Sequence, residues 1–321
     1  MNFKIADISK RIHKEVVNEC LLKNTNQISS DWIFHQWNWL HQNYKPFKDL
    51  LKYLIVISLK KKSLEFYFEN GISYSFNEFY NNPKIPIDNF SFSELNKDFN
   101  LPKETLRRKV LELEKLGVIK KEKKKLFIDR SSYDFIKPTN QIKITSKYIS
   151  KVSKILLKNK LIKKFITEEE IRKKIMKEFS KVWLWFYDFQ LNIMNNNMKF
   201  LGKDLNIFYI VATCLLNQVY NYDNKFKSKN INSMVFDDYI KAILDQSVAG
   251  LNTMSISEMT GLPRATVIRK LKILENNNLL VSNSKKQFYL PNPSTQMSSV
   301  IKNNFRFKSE FIAKTLNLIN V

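Results

Sequence analysis

Arginine is scarce in this sequence, and where it stands is the first chemical signal. Only eight Arg occur among the 54 basic residues. Four of them, Arg107, Arg108, Arg264 and Arg269, fall in two nineteen-residue segments, 101–119 and 262–280. A guanidinium offers a planar fork that grips a phosphate or a guanine edge with two parallel hydrogen bonds, which an ammonium cannot do. A chain that otherwise spends Lys has therefore concentrated Arg where two-point contact would matter. Lysines follow both segments: Lys120, Lys121, Lys123, Lys124 and Lys125 after the first, Lys285 and Lys286 after the second. The formal net charge of +24 points the same way, to a polyanionic partner, nucleic acid before an anionic membrane surface.

Other chemistries find little to work with. The five Gly, at 71, 117, 202, 250 and 261, stand too far apart for a P-loop or a dinucleotide fingerprint. Cys20 and Cys214 give no zinc-finger spacing and no disulfide framework, and read as thiols of a reducing cytoplasm. His35 and His41 lack the helical spacing for a shared metal ion. Glu168–Glu170 and Asp237–Asp238 are adjacent acids of the kind that complement a helix dipole. Glu122 and Lys124 match the tail of a nuclease motif without a partner acid. No nucleophile–base or metal constellation stands out, so neither an enzyme nor a cofactor is expected. The apolar run Ile207–Leu216 is half of a membrane span, and 1–14 has no apolar core for a signal peptide, so no membrane partner is expected.

The elements that must position the Arg are written twice. LPKETLRRKVLELEKLGVI, from Leu101, matches LPRATVIRKLKILENNNLL, from Leu262, at seven of nineteen positions without a gap. Upstream, KDLLKYLIV from Lys48 matches KDLNIFYIV from Lys203 at five of nine. Further upstream each half has an aromatic stretch, WIFHQWNWL from Trp32 and VWLWFYDFQL from Val182, read as core or a dimer seam. The repeat predicts a tandem duplication with a loop insertion within 220–232. The expected divisions are an N-terminal helix (1–30, with Ile5, Ile8, Ile12 and Val16 on one face), a first unit (31–137), a basic helical linker (138–180), a second unit (181–296) and a C-terminal helix (297–321). Thr167–Glu170 predicts a capping box. Pro83 and Pro86 read as breaks.

Within each unit the spacing predicts helix, tight turn, helix, β-hairpin. In the first, Leu95 and Phe99 share one helical face and Asn100 makes the turn. Pro102 takes a first helical position, and Leu106, Val110, Leu113 and Leu116 form a buried stripe ended by Gly117. In the second, Ile256 and Met259 face inward, Gly261 makes the turn, Val267, Leu271 and Leu274 form the stripe, and Asn278 replaces the terminating Gly. The pattern E-L…G-L-P…T-V…R…L…L-E…G-L-I followed by a wing, standing here as 93–119 with Asn100 for the turn Gly and as 255–280 with Asn278 for the terminating Gly, resembles the winged helix-turn-helix of bacterial and archaeal transcription regulators of the IclR and MarR type. The resemblance covers about forty residues in each half and implies a mainly α fold with small hairpin wings, in two homologous units.

In such a unit the second helix enters the major groove with its first turns toward base edges. The outward positions then are Lys103, Glu104, Thr105, Arg107 and Arg108 in the first half, and Arg264, Thr266, Ile268 and Arg269 in the second. The wing lysines would lie along phosphates or in the minor groove. The expected function is sequence-specific binding of double-stranded DNA as a transcription regulator. A plasmid- or phage-type replication initiator and an architectural, nucleoid-type protein are the alternatives. A homodimer through the terminal or aromatic helices is left open.

Overall fold

The computed structural model describes residues 11–81, 84–87, 92–122, 125–129, 137–226, 233–244 and 250–319. Among them the chain is mainly helical. The first half runs α1 (Lys14–Lys23), α2 (Thr25–Phe47), α3 (Leu50–Glu69), α4 (Phe76–Asn81), β1 (Lys84–Ile87), α5 (Phe92–Phe99), α6 (Lys103–Lys115), β2 (Ile119–Glu122), β3 (Lys125–Asp129) and α7 (Thr139–Lys158). The second runs α8 (Glu168–Lys177), α9 (Phe179–Leu201), α10 (Leu205–Phe226), α11 (Phe236–Leu244), α12 (Thr253–Thr260), α13 (Arg264–Asn276), β4 (Val281–Ser282), β5 (Phe288–Tyr289) and α14 (Thr295–Ile319). Element lengths match across the halves. Helices α1 and α8 have 10 residues each, α2 and α9 have 23, α5 and α12 have 8, and α6 and α13 have 13.

Two compact units form, and their membership departs from chain order. One gathers residues up to 20, 51–195 and 305 onward; the other gathers 21–50 and 196–304. The bonds within each unit show what this grouping means. In the first unit the backbone N–H of Tyr74, just before α4, donates to Ser180 Oγ at the start of α9 (2.9 Å), and the Ser180 N–H returns a bond to the Tyr74 carbonyl (3.0 Å). In the second unit the Met234 N–H, just before α11, donates to Asn26 Oδ1 at the start of α2 (2.8 Å), and the Thr25 N–H donates to the Met234 carbonyl (3.1 Å). The second helix of each half, α2 or α9, thus packs on the other half's third or fourth helix.

Aromatic packing fixes the exchange. Phe179 of α9 lies 5.2 Å, centroid to centroid, from both Phe76 and Phe79 around α4, and stacks on Trp183, which stacks on Phe186 at 4.5 Å. On α2, Trp37 Nε1 donates to Thr213 Oγ1 of α10 (2.9 Å), and the Trp37 ring stacks on His41. The His41 Nδ1 lies 2.8 Å from the Tyr209 hydroxyl. The trailing helices follow the same rule. Ser153 of α7 bonds both backbone groups of Ile166 before α8, and Asn317 of α14 bonds both of Ile12 before α1.

Three expectations change. The segment 138–180 is packed structure, not linker: Ile142, Ile149, Val152 and Leu156 of α7 and Ile171 and Ile175 of α8 are buried. Its lysines occupy the opposite face, an amphipathic arrangement that the charge count alone conceals. The boundaries read from the repeat mark sequence segments, while each compact unit draws on both halves. On α1 the buried stripe is Val17, Cys20 and Leu21, and Val16 faces out at 37% exposure; Ile5 and Ile8 lie outside the described residues. The Thr167–Glu170 capping box forms as the spacing predicts, with Thr167 Oγ1 accepting from the Glu170 N–H. Both Cys are buried and outside any disulfide, and burial pushes the Cys214 thiol up to about 12. No described helix is long and apolar enough to cross a membrane.

Two outcomes follow from this packing. Fragments 1–137 and 138–321, produced separately, should each lack a cooperative melt, while co-expression should restore a 1:1 complex with one. A cooperative melt of 1–137 alone would contradict the exchange. Burial, then the charges of Lys45 and Lys48, hold the His41 imidazole below its usual value of 6.5. A lowered His pKa stabilises the folded state above the unfolded value and is lost as pH falls through 6.5. Acidification below that point should lower the Tm, and His41→Gln should blunt that part of the dependence.

Candidate nucleic-acid interface

Helices α5 and α6 meet at a turn built by sequence. Leu95 and Phe99 of α5 are buried, and Asn100 takes a left-handed backbone, φ 47°, which Asn tolerates better than most residues. Asn96 Nδ2 spans the turn to the Leu101 carbonyl (2.6 Å). In the second half Gly261 (φ 71°) takes the turn position, and Ser257 Oγ spans it to the Leu262 carbonyl (2.6 Å). Asn252 Oδ1 caps α12 by accepting from the Ser255 N–H. Pro102 and Pro263 have nearly identical backbones, φ −54°, ψ 135° and φ −56°, ψ 136°. Both stand one residue before the first helical residue rather than within the helix, because their extended ψ closes the turn.

The two long helices bury the expected stripes, Leu106, Val110 and Leu113 on α6 and Val267, Leu271 and Leu274 on α13. Met259, expected inward, is only half-buried, and Thr260 fills the core beside Ile256. Leu116 departs from its stripe and is 47% exposed, because α6 ends at Lys115. Gly117 (φ 75°) and Asn278 (φ 52°) turn the chain there. The N–H groups of Val118 and Leu279 then bond back to the Leu113 and Leu274 carbonyls, the same helix-ending motif in each half.

Hairpins follow, with one strand that the sequence concealed. β2 and β3 pair as expected, and β1 adds antiparallel to β3, giving the order β1-β3-β2. Pro86, read as a break, sits in this edge strand, where a missing N–H is tolerated. The second hairpin is smaller: β4 pairs with β5, and Leu251 bridges to Phe288 on the outer side. Gly250 is required by this close approach, since a Cβ there would lie 2.6 Å from the Phe288 carbonyl oxygen. The buried Gln218 side chain of α10 exchanges two hydrogen bonds with the backbone of Leu290, holding this hairpin down.

The expected contact residues mostly face solvent. Lys103, Glu104, Arg107 and Arg108 of α6 are exposed, the two Arg side chains at 65% and 70%. Arg264, Ile268 and Arg269 of α13 are exposed, Ile268 at 42%. Thr105 and Thr266 are half-buried. On the hairpins Lys120, Lys121, Lys285 and Lys286 are exposed. Lys123, Lys124 and the Lys125 side chain lie outside the described residues. Some of the charge is already engaged: Lys120 pairs with the buried Asp129, and Lys84 of β1 with Glu122. Arg107 lies 4.0 Å from Glu104, and Arg108 lies 3.9 Å from Glu112.

Two lysines, identical in the repeat, do something else. Lys109 is largely covered and lies 3.0 Å from Glu112, which also meets Lys52 of α3 at 2.9 Å. Burial would raise the Glu112 carboxyl, but hydrogen bonds from Lys52 and Lys109 hold it below the usual carboxylate range. Lys270 is likewise covered and pairs with Asp204, whose Oδ1 also accepts from the Asn206 N–H at the start of α10. Lys52–Glu112 and Lys270–Asp204 therefore each tie α6 or α13 to the apolar helix beneath it, and Lys109 holds Glu112 from within α6. The signal was present: Lys109 and Lys270, and the KDL aspartates, are among the identities of the repeat.

Among the described residues no group of three or more His, Cys, Asp or Glu could hold a metal ion. No family model, curated protein or solved structure matches the chain.

This division of labour is measurable. Arg108→Ala and Arg269→Ala should shift the Tm by less than about 2 °C, as exposed side chains do. Asp204→Ala leaves Lys270 half-covered without its carboxylate and should cost about 1–3 kcal/mol. Equal melting shifts in all three would mean that the outward Arg support the fold.

Proposed function

We propose that the chain is a sequence-specific double-stranded DNA-binding protein of the transcription-regulator kind, built from two winged helix-turn-helix units that arose by internal duplication. The observation that carries this reading is the outward display, on two helices of matching sequence and length, of four of the chain's eight Arg, with the opposite stripe of each helix buried. A helix so presented fits the major groove, where a guanidinium can hold guanine O6 and N7 together. Lys120 and Lys121, and Lys285 and Lys286, then run along phosphates, which set position rather than sequence preference. Both heads belong to one chain, so two half-sites can be read without a homodimer. The location implied is cytoplasmic, where DNA is reached directly.

A replication initiator of plasmid or phage type is the second reading, favoured by the same tandem pair of heads on one chain. Position in the genome, beside an origin or beside a regulated operon, separates the two. An architectural protein would bind specific and scrambled DNA alike.

Two measurements test the reading. With 6–8 phosphates neutralised, log K should fall against log salt with a slope of about −5 to −7. Replacing Lys123, Lys124 and Lys125 together by Ala should flatten it while sparing sequence preference; an unchanged slope removes the first wing from the interface. Arg108→Ala and Arg269→Ala should each cost about 1–3 kcal/mol on the selected site and relax preference there. Equal weakening on scrambled DNA would make these Arg phosphate holders.

A further inference from the structure

The two candidate reading helices share a frame and, beyond a Lys-for-Arg exchange at their first residue, differ in character at two outward positions within it. Lys103 and Arg264 open the helices, Thr105 and Thr266 follow, and Arg108 and Arg269 stand one turn on. Between these, Glu104 of the first helix is replaced by Ala265, and Arg107 by Ile268. All four of these differing residues are solvent-exposed. The changes are opposite in chemistry. Glu104, with its side chain 85% exposed, is a carboxylate on a surface proposed to meet phosphates. Ile268 is a large aliphatic group, 42% exposed, flanked by Arg264 one turn back and by Arg269.

Neither residue suits non-specific contact. A carboxylate facing a polyanion is repelled unless it meets a donor. An ionised Glu only accepts hydrogen bonds. In the major groove cytosine offers its N4 amine with no acceptor on the same base. Adenine sets its N7 acceptor beside its amine, guanine offers two acceptors, and thymine offers O4. Glu104 is therefore matched to cytosine and mismatched to the rest, with Arg107 and Arg108 beside it suited to guanine. An exposed isoleucine gains by burying apolar surface, and the one apolar group on a base edge in that groove is the thymine C5-methyl. Ala265 next to it removes the carboxylate that would hold the helix off.

We infer that the two heads read unlike half-sites: α6 takes one bearing C·G pairs through Glu104 and its Arg neighbours, and α13 takes one bearing thymine methyls through Ile268. The DNA site is then non-palindromic, although the two units share an ancestry, and it gives the bound chain a direction. This inference rests on the DNA-binding reading above and narrows it to a chemistry for each half of the site.

The test starts with selection of bound duplexes from a random library by the full chain. A site with one C·G-bearing half and one thymine-bearing half is expected; two inverted copies of one sequence would overturn the inference. Replacing thymine by deoxyuridine in the second half removes only the methyl. It should weaken the wild-type chain about fivefold and leave Ile268→Ala unaffected, whose own affinity on the thymine site should already be lower by the same factor. Equal losses in both proteins would exclude Ile268 as the reader. Glu104→Ala should bind C·G and T·A variants of the first half within about twofold of each other, where the wild type separates them about tenfold. Retained discrimination would exclude Glu104. Both residues are exposed, so unchanged melting confirms that the fold is not the variable. Failure is distinguishable at the two levels: no enriched site at all would remove the DNA-binding reading itself, whereas an enriched palindrome would remove only the asymmetry.

Discussion

The surface of α2 and α9 constrains everything else. Each is a 23-residue helix whose aromatic and aliphatic side chains leave few sides fit for water. Trp32, Trp39, Leu40 and Tyr44 on one, and Trp183, Phe186, Tyr187 and Phe189 on the other, are all buried. A helix apolar on most of its faces must be enclosed. Each packs against elements of the other half, while α9 also lays Phe186 and Phe189 on Phe311 of α14 in its own half. The bonds from Tyr74 to Ser180 and from Met234 to Asn26 are the same contact made twice, at corresponding places, by residues of different type. Preservation of the geometry while Ser and Asn interchange argues that the crossing is a property of the fold, not an accident of one pair of side chains.

That constraint reaches α6 and α13 through α3 and α10. Both are apolar enough to be core, yet a polar group on α3, or just before α10, meets the long helix packed against it. Lys52 meets Glu112 in one half and Asp204 meets Lys270 in the other. The polarity of the pair is reversed between halves, with the base on the side of α3 in the first and the acid on the side of α10 in the second. The repeat nevertheless keeps Lys109 and Lys270, and the KDL aspartates, in both halves. The neighbouring Arg are free of that duty and point outward. A scaffold that holds such side chains on its solvent face is the arrangement that the proposed groove recognition would need.

Much of this was legible in the residues. The helix-turn-helix stripes, the left-handed turn at Asn100 and Gly261, the helix stops at Gly117 and Asn278, and the capping box at Thr167 all follow from local rules that the sequence states directly. What local rules cannot give is partnership. The exchange of α2 and α9 leaves no mark on periodicity, because an aromatic helix looks alike whichever half encloses it. β1 was hidden because Pro83 and Pro86 signal a break, and only pairing with β3 makes an edge strand of that segment. The repeat marked Lys109 and Lys270 as kept, but not what they hold. In a chain of such basic composition, a lysine that holds a helix in place is written with the same letter as one that faces a phosphate.

The same ambiguity explains why arginine is the more telling residue. Lysine here is spread over solvated faces, as on α7, where its carriers alternate with buried Ile and Leu. Arginine is rationed, and half of it stands on two helices whose inner faces are fixed by Leu, Val and the acid–base clamp. A guanidinium gains most over an ammonium when its position is held and its target is planar. The fold supplies the first condition on α6 and α13. A base edge in a groove supplies the second, and a solvated surface does not. The divergence of Glu104 from Ala265 and of Arg107 from Ile268, inside a frame that otherwise keeps its charges, is then difficult to account for by stability, since none of the four supports the core. It is accounted for if the two helices meet different base edges.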